Sequence, residues 1–138
     1  MIRIGLLGLG TVGQGVFEIV NERFLKTSNK EPIIITKVLV RDKSKKRSLQ
    51  ISDDLITENF DDIVNDKDID IVVSVMGGME PELTYIKRSL KAGKHVVTAN
   101  KEIISRHIVD LLDLAKNNKV SLMFEAAVGG GIPIISSI

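Results

Sequence analysis

Three glycines near the start of the chain have a spacing that suits phosphate binding. The apolar run Ile2–Leu7 leads into Gly8, Gly10 and Gly13, and a helical pattern of apolar residues follows directly. Gly8 would permit a tight turn, Gly10 would leave room for a pyrophosphate, and Gly13 would let the helix pack against the strand. Free backbone N–H groups at the helix N-terminus would then meet the phosphates. This pattern predicts a dinucleotide site, and the alternative is a set of glycines that serve only the turn.

A basic segment follows the second apolar run, residues 33–40. It begins with Arg41 and Asp42 and continues with Lys43, Lys45, Lys46 and Arg47. In dinucleotide sites an acidic residue at this place binds a free ribose 2′-hydroxyl, whereas an arginine accommodates a 2′-phosphate. Arg41 therefore favours NADP, and NAD stays possible because Asp42 could reach a ribose. The alternative is a basic loop exposed to solvent.

Two further segments with candidate binding residues lie directly after apolar runs. Gly77 and Gly78 follow the run 69–76, where small residues would let a ribose and a nicotinamide pass over the backbone; an ordinary turn is the alternative. Asn100 could cap the helical pattern that begins with Lys101. Lys101 would face the crevice, and a lysine there could donate a hydrogen bond or a proton to a developing alkoxide. Taken by itself, a lysine in the first turn of a helix is more often a surface residue.

Strand-like and helix-like patterns alternate along the chain and place these segments. Continuous apolar runs predict strands over 2–7, 33–40, 69–76, 95–98 and 120–124. Helical spacing predicts helices over 12–25, 81–92 and 101–117, while 53–65 is a short helix or two turns. The predicted fold class is therefore α/β, a Rossmann-like doubly wound parallel sheet with helices on both faces. Ligands of such sheets bind at the carboxyl ends of the strands, where the segments above lie.

Composition excludes several classes of protein. The 138 residues fit one domain, and the net charge of +1 argues against nucleic-acid binding. The chain has no cysteine, which excludes disulfides and thiolate metal sites. No apolar run approaches the ~20 residues that span a bilayer, so we expect a soluble, cytoplasmic protein without membrane contact. His95, expected to be partly buried at the start of its strand, and His107 are interpreted as structural residues rather than metal ligands.

Five segments together resemble a known family. Residues 4–13, 38–42, 77–81, 93–101 and 124–133 read IGLLGLGTVG, VLVRD, GGMEP, GKHVVTANK and FEAAVGGGIP. In this order they resemble homoserine dehydrogenase, and the resemblance covers essentially the entire chain. The last two segments are more specific than the glycine spacing. The resemblance implies reduction of aspartate 4-semialdehyde to homoserine with NAD(P)H, on the route to threonine, methionine and isoleucine.

The resemblance also implies roles for individual residues. It implies that Lys101 lies where cofactor and substrate meet and is the catalytic residue of this chain. It implies a cofactor site made of Gly8, Gly10, Thr11, Val12, Gly13, Arg41, Gly77, Thr98 and Lys101, in which Thr11 and Val12 donate backbone N–H groups to the pyrophosphate and Arg41 lies by the 2′-phosphate.

The last matching segment implies a metal site. Its members match family positions that bind a monovalent cation, usually sodium, mostly through backbone carbonyls: Glu125, Val128, Gly130 and Ile132. Hard oxygen ligands suit such an ion. The alternative for Glu125 is a carboxylate at a strand end that accepts local N–H groups.

Members of this family continue into a domain that binds the amino acid and forms a homodimer. The resemblance therefore implies that residues 1–138 are the NAD(P)-binding domain, ending at the start of an absent substrate and dimerisation domain. We expect weak NADP(H) binding and negligible turnover from this chain. Two rival hypotheses stay open: another small Rossmann reductase, and a non-catalytic module that senses NAD(P).

Overall fold

The computed structural model describes residues 1–24 and 31–124, which contain one six-stranded sheet in the order β3-β2-β1-β4-β5-β6. Every neighbouring pair of these strands is parallel. From β1 the chain continues through β2 and β3 on one side of the sheet, and it then continues through β4, β5 and β6 on the other side. This is the doubly wound arrangement predicted from the sequence. The strands are β1 Ile2–Leu7, β2 Ile33–Leu39, β3 Ile56–Thr57, β4 Ile71–Ser74, β5 His95–Thr98 and β6 Leu122–Met123.

Helices cover both faces of the sheet, as predicted. They are α1 Thr11–Ile19, which continues as a π-helical turn Val20–Phe24, α2 Asp61–Val64, α3 Glu82–Lys91 and α4 Lys101–Asn117, with a 3₁₀ turn at Asp53–Leu55. Helix α1 packs in a cluster on one face, while α2, α3 and α4 share a cluster on the other. No helix of the described residues is long and apolar enough to cross a membrane.

The central strands are buried on both faces, which explains their continuous apolar sequences. In β4, Val72 belongs to the cluster under α3 and α4, whereas Ile71 and Val73 belong to the cluster under α1. Successive side chains of a strand point to opposite faces, so a strand between two helical layers needs apolar residues at every position. Three predicted strands are shorter than expected at their ends, because pairing stops at Leu39, Ser74 and Met123.

Helix α1 differs from its prediction in which residues are buried. The helical spacing that predicts this helix includes the apolar residues Val12 and Ile19, but their exposed fractions are 57% and 46%. The buried stripe is instead Gly13, Phe17 and Val20, at the spacing i, i+4, i+7. The apolar pattern correctly included Val20 and Val16, which pack in or against the core, but it wrongly added the exposed Val12 and Ile19.

Two other expectations were wrong or incomplete. The segment 53–65 contains a two-residue strand, β3, beside its helical turns, because Ile56 and Thr57 pair with Val38 and Leu39. Such a short strand has no periodicity of its own to detect. His95 is exposed rather than partly buried, because it is the first residue of β5 and lies at the exposed end of the strand. Its Nδ1 accepts a hydrogen bond from the backbone N–H of Ser121 at 3.0 Å.

Candidate dinucleotide-binding site

The turn between β1 and α1 requires glycine at its first position. Gly8 has φ +102°, a left-handed conformation that favours glycine. A Cβ atom at this position would also lie 3.2 Å from the Cα atom of Met76 and from the carbonyl oxygen of Val75. The backbone N–H of Gly8 donates to the carbonyl of Leu39 at 3.0 Å, which ties the turn to β2. This geometry confirms that the turn needs glycine at position 8, and cofactor binding by Gly8 stays a prediction.

The other two glycines differ in their surroundings. A Cβ atom on Gly13 would lie 2.1 Å from the carbonyl oxygen of Gly8, so the first turn of α1 packs on the glycine turn without space for a side chain. A Cβ atom on Gly10 would meet nothing within 4 Å. The domain itself therefore does not require glycine at position 10. The open space beside Gly10 is where a pyrophosphate would lie, so this cradle fits the predicted group.

The N-terminus of α1 opens onto this space. Gly10 is the N-cap residue, and no side chain of the described residues caps the helix. The first N–H groups of a helix have no partner within it and carry the positive end of the helix dipole. The N–H groups of Thr11 and Val12 are among them, and both residues are exposed. The turn can therefore bind an anion through its main chain.

A groove of about 610 Å³ extends from the glycine turn to the basic segment after β2. Gly8, Gly10 and Thr11 line one end and Arg41 lines the other. The remaining charged residues of its wall are Asp42, Lys45, Lys46 and Arg47. The structure thus brings Gly8, Gly10 and Thr11 into one groove with Arg41, whereas Val12 lines a neighbouring cavity and Gly13 lines neither.

Arg41 and Asp42 are both exposed, but only Asp42 is held by hydrogen bonds within the basic segment. The Asp42 carboxylate accepts hydrogen bonds from the Ser44 hydroxyl at 2.6 Å and the Ser44 backbone N–H at 2.9 Å, and these bonds hold the pKa of Asp42 below its usual value. Arg47 donates to the backbone carbonyls of Asp42 and Lys45, both at 3.0 Å. Arg41 makes no hydrogen bond or ion pair with residues 1–24 and 31–124, so its guanidinium is available to a ligand.

A second cavity, of about 290 Å³, lies at the ends of β4 and β5. Val75 and Met76 line both cavities, which makes them neighbours along one edge of the sheet. Gly77 and Gly78 have φ +87° and +76°, conformations that favour glycine in the turn after β4. The second cavity is lined by Val12, Val75, Met76, Gly77, Glu82, Ala99 and Asn100.

Asn100 caps α4, as predicted. Its Oδ1 accepts the backbone N–H of Ile103 at 3.0 Å, while its Nδ2 donates to the carbonyl of Gly78. The backbone N–H of Asn100 donates to the buried hydroxyl of Thr98 at 3.1 Å. Lys101 begins α4 beside this cap, and its side chain is exposed. Its position is at the predicted edge of the sheet, and its catalytic role stays a prediction.

Sequence reasoning missed Glu82. Its side chain is 0% exposed, and it lies in the first turn of α3 against the second cavity. Its Oε2 accepts the backbone N–H of Gly77 at 2.6 Å and the Nδ2 of Asn100 at 3.3 Å. The available signal was its place four residues before the buried Ile86, on the apolar stripe of an amphipathic helix.

The predicted metal site cannot be compared with the structure. Glu125, Val128, Gly130 and Ile132 all lie outside the described residues. Within residues 1–24 and 31–124, no group of three or more His, Asp or Glu side chains could hold a metal ion.

Comparison with known families agrees with this geometry. A family model described as the NAD binding domain of homoserine dehydrogenase matches residues 8–125, from the glycine turn past the last strand. The chain belongs to this family. The match includes both cavities, so the site described above lies within the matched domain.

Individual relatives support the same assignment. The chain is 42% identical to a homoserine dehydrogenase of Bacillus subtilis, over 99% of this chain and 32% of the relative. A crystal structure of S. aureus homoserine dehydrogenase superposes with a TM-score of 0.86 at 48% identity, over 94% of this chain and 33% of that one. A hyperthermophilic archaeal homoserine dehydrogenase mutant in complex with NADPH has a TM-score of 0.77 at 26% identity, over 98% of this chain and 47% of that one. The chain spans about a third of the length of the first two relatives.

Proposed function

We propose that this chain binds NADP(H) as the cofactor domain of an enzyme that reduces aspartate 4-semialdehyde to homoserine. The observation that carries the proposal is the glycine turn, where the Gly8 carbonyl and Gly13 are in contact and the space beside Gly10 is open. That arrangement places unpaired main-chain N–H groups at the end of the 610 Å³ groove. Thr11 and Val12 would donate these groups to the pyrophosphate.

The basic end of the groove supports NADP over NAD. Arg41 is exposed there and can bind a 2′-phosphate with two parallel hydrogen bonds. Asp42, which would have to accept a ribose 2′-hydroxyl for NAD, has its Oδ1 engaged by two hydrogen bonds from Ser44, which leaves only Oδ2 for a ribose. The archaeal relative bound to NADPH is a precedent within the family.

The nicotinamide half would occupy the 290 Å³ cavity, which Gly77 lines; Thr98 is buried behind it and accepts the backbone N–H of Asn100, a lining residue. The chemistry that a bound cofactor supplies there is hydride transfer to the aldehyde carbon. Lys101, at the start of α4, would donate a proton or hydrogen bond to the oxygen that becomes the homoserine hydroxyl. We propose this catalytic role from the position of Lys101 beside the cap of α4.

Other parts of the activity rest on the family alone. We propose that residues 1–138 form the NAD(P)-binding domain, that substrate binding and dimerisation need a further domain, and that this chain alone has negligible turnover. A sodium site at Glu125, Val128, Gly130 and Ile132 is proposed on the same ground. The family match disfavours the rival of an unrelated small reductase. Finding that the gene encodes a substrate domain after residue 138 would favour the enzyme over the NAD(P)-sensing module.

Calorimetric titration of the 138-residue chain tests cofactor binding. We expect NADP⁺ and 2′,5′-ADP to bind, and NAD⁺ to bind more weakly. Arg41→Asp should lower the affinity for both 2′-phosphorylated ligands by roughly tenfold or more, since a charge-assisted pair is lost and a repulsion is added. Arg106→Asp, the same change on the exposed face of α4, is the control and should leave both affinities unchanged. Unchanged NADP⁺ affinity in Arg41→Asp would exclude Arg41 as the phosphate ligand.

A further inference from the structure

Glu82 is a buried carboxylate whose partners are all neutral. It has no exposed surface, and its Oε2 accepts hydrogen bonds from the Gly77 N–H at 2.6 Å and from the Asn100 Nδ2 at 3.3 Å. Its Oε1 lies 3.5 Å from the hydroxyl of Thr98. These donors come from the turn after β4 and the loop after β5, so Glu82 joins the two segments that form the second cavity.

In the described part of the chain no lysine, arginine or histidine forms an ion pair with this carboxylate, and the positive end of the α3 dipole gives only a partial charge beside it, because Glu82 is in the first turn of that helix. The ion pairs found there join the N-terminus to Glu31, Asp61 to Arg88, and Glu102 to Arg106. All of these pairs are at the surface, whereas Glu82 is in the interior. Burying a carboxylate is unfavourable unless donors or a positive charge compensate for the lost water. Neutral donors supply part of that compensation, and a cationic ligand in the cavity would supply more.

The cavity beside Glu82 is where the proposed cofactor would place its nicotinamide ring. The 610 Å³ groove and this 290 Å³ cavity share Val75 and Met76, and Glu82 is one of the residues that line the latter. The ring carries a positive charge in the oxidised cofactor and none in the reduced cofactor. A buried negative charge at this place therefore distinguishes the two redox states by electrostatics.

We propose that Glu82 is a specificity-determining residue that favours the oxidised cofactor over the reduced one. The inference rests on the proposed function, since it assumes that the dinucleotide spans both cavities. Glu82 acts through its charge on the ring and through the positions of Gly77 and Asn100, which it holds together. The adenosine end of the site, at the other side of the glycine turn, does not depend on it.

The test compares three ligands on the 138-residue chain and on its Glu82→Gln variant. We expect the dissociation constant of NADP⁺ to rise about tenfold relative to that of NADPH, the size of effect that one unit charge at close range gives in a partly screened site. The dissociation constant of 2′,5′-ADP, which lacks the nicotinamide, should not change. A purely structural role of Glu82, through Gly77 and Asn100, would weaken NADP⁺ and NADPH alike and would not change the ratio of their dissociation constants.

Controls separate failure of this inference from failure of the proposed function. Glu80→Gln makes the same chemical change at an exposed glutamate two residues earlier and should leave the ratio unchanged. If Glu82→Gln does not fold, Glu82→Met removes the charge with an apolar side chain of similar size and should shift the ratio in the same direction. An unchanged ratio with intact 2′,5′-ADP binding would overturn the role of Glu82 alone. Absence of both NADP⁺ and 2′,5′-ADP binding by the unaltered chain would overturn the proposed function and this inference with it.

Discussion

Substitution of Gly13 by alanine tests the packing on which the cofactor site depends. The added methyl carbon would lie 2.1 Å from the Gly8 carbonyl oxygen and 2.8 Å from its carbonyl carbon. Both atoms belong to the backbone of a turn that is itself tied to β2, so no flexible side chain can move aside. The first turn of α1 would have to shift by about 1 Å to restore an ordinary contact distance.

The magnitude follows from two opposing effects. Alanine is favoured over glycine within a helix by about 1 kcal/mol. Overpacking in a close-packed region costs about 1–3 kcal/mol and more where the backbone must move. Because the contact at Gly13 is with backbone atoms, we expect Gly13→Ala to lower the free energy of unfolding by about 2 kcal/mol, and to weaken NADP⁺ binding because the N-terminus of α1 is displaced.

Two other glycines of the same segment provide matched controls. A Cβ atom on Gly15, also within α1, would meet nothing within 4 Å, so Gly15→Ala should raise stability by about 0.5–1 kcal/mol. Gly10→Ala should fold normally, yet its methyl group would occupy the space proposed for the pyrophosphate and should weaken binding. Urea unfolding followed by circular dichroism, with calorimetry for NADP⁺, measures both quantities. A Gly13→Ala variant as stable as Gly15→Ala would refute the reasoning.

Three further predictions concern stability and are measured by urea unfolding. Asn100→Ala removes the cap of α4 and should cost about 1 kcal/mol, whereas Asn100→Asp keeps an acceptor for the Ile103 N–H and should cost less. Lys94→Met removes the hydrogen bonds that the buried ammonium donates to the carbonyls of Asp66 and Ile69, and should cost about 1–3 kcal/mol; a neutral result would show that water replaces them. Hydrogen bonds from Thr84 hold the pKa of Glu80 below its usual 4.5, so its contribution is present above pH 4.5 and lost as the pH falls through the lower folded-state pKa. The stability difference between the chain and Glu80→Gln should therefore shrink below that pH, and a difference independent of pH would contradict the assignment.

Local patterns were sufficient to predict most of the fold. The predicted elements over 2–7, 95–98 and 101–117 have the observed bounds, and the alternation of strands and helices indicated a parallel sheet. Patterns failed where an element depends on a partner. Strand β3 exists because Ile56 and Thr57 pair with β2, and no property of two residues could reveal that pairing.

In the candidate site, too, local sequence predicted some features, while others depend on partners that are distant in the chain. The glycine spacing predicted the turn at Gly8 and the close packing at Gly13, because each follows from the absence of a Cβ atom; the pyrophosphate space at Gly10 stays a prediction. The cap at Asn100 was predicted because capping is local to one helical turn. Glu82 was missed, since its importance comes from Gly77 and Asn100, which lie on different loops that only the folded sheet brings together.

The sequence by itself determined the order of all the described strands except β3 and the family to which the chain belongs, and it predicted the edge of the sheet at which a ligand would bind. These properties are recorded in short segments whose conformation depends on near neighbours in the chain. Only the tertiary structure decided which residues of α1 are buried, that Arg41 lies in the same groove as the glycine turn, and that the Glu82 carboxylate lies in the interior. Each of these depends on contacts between residues distant in sequence, and burial and charge compensation do not exist until those contacts form.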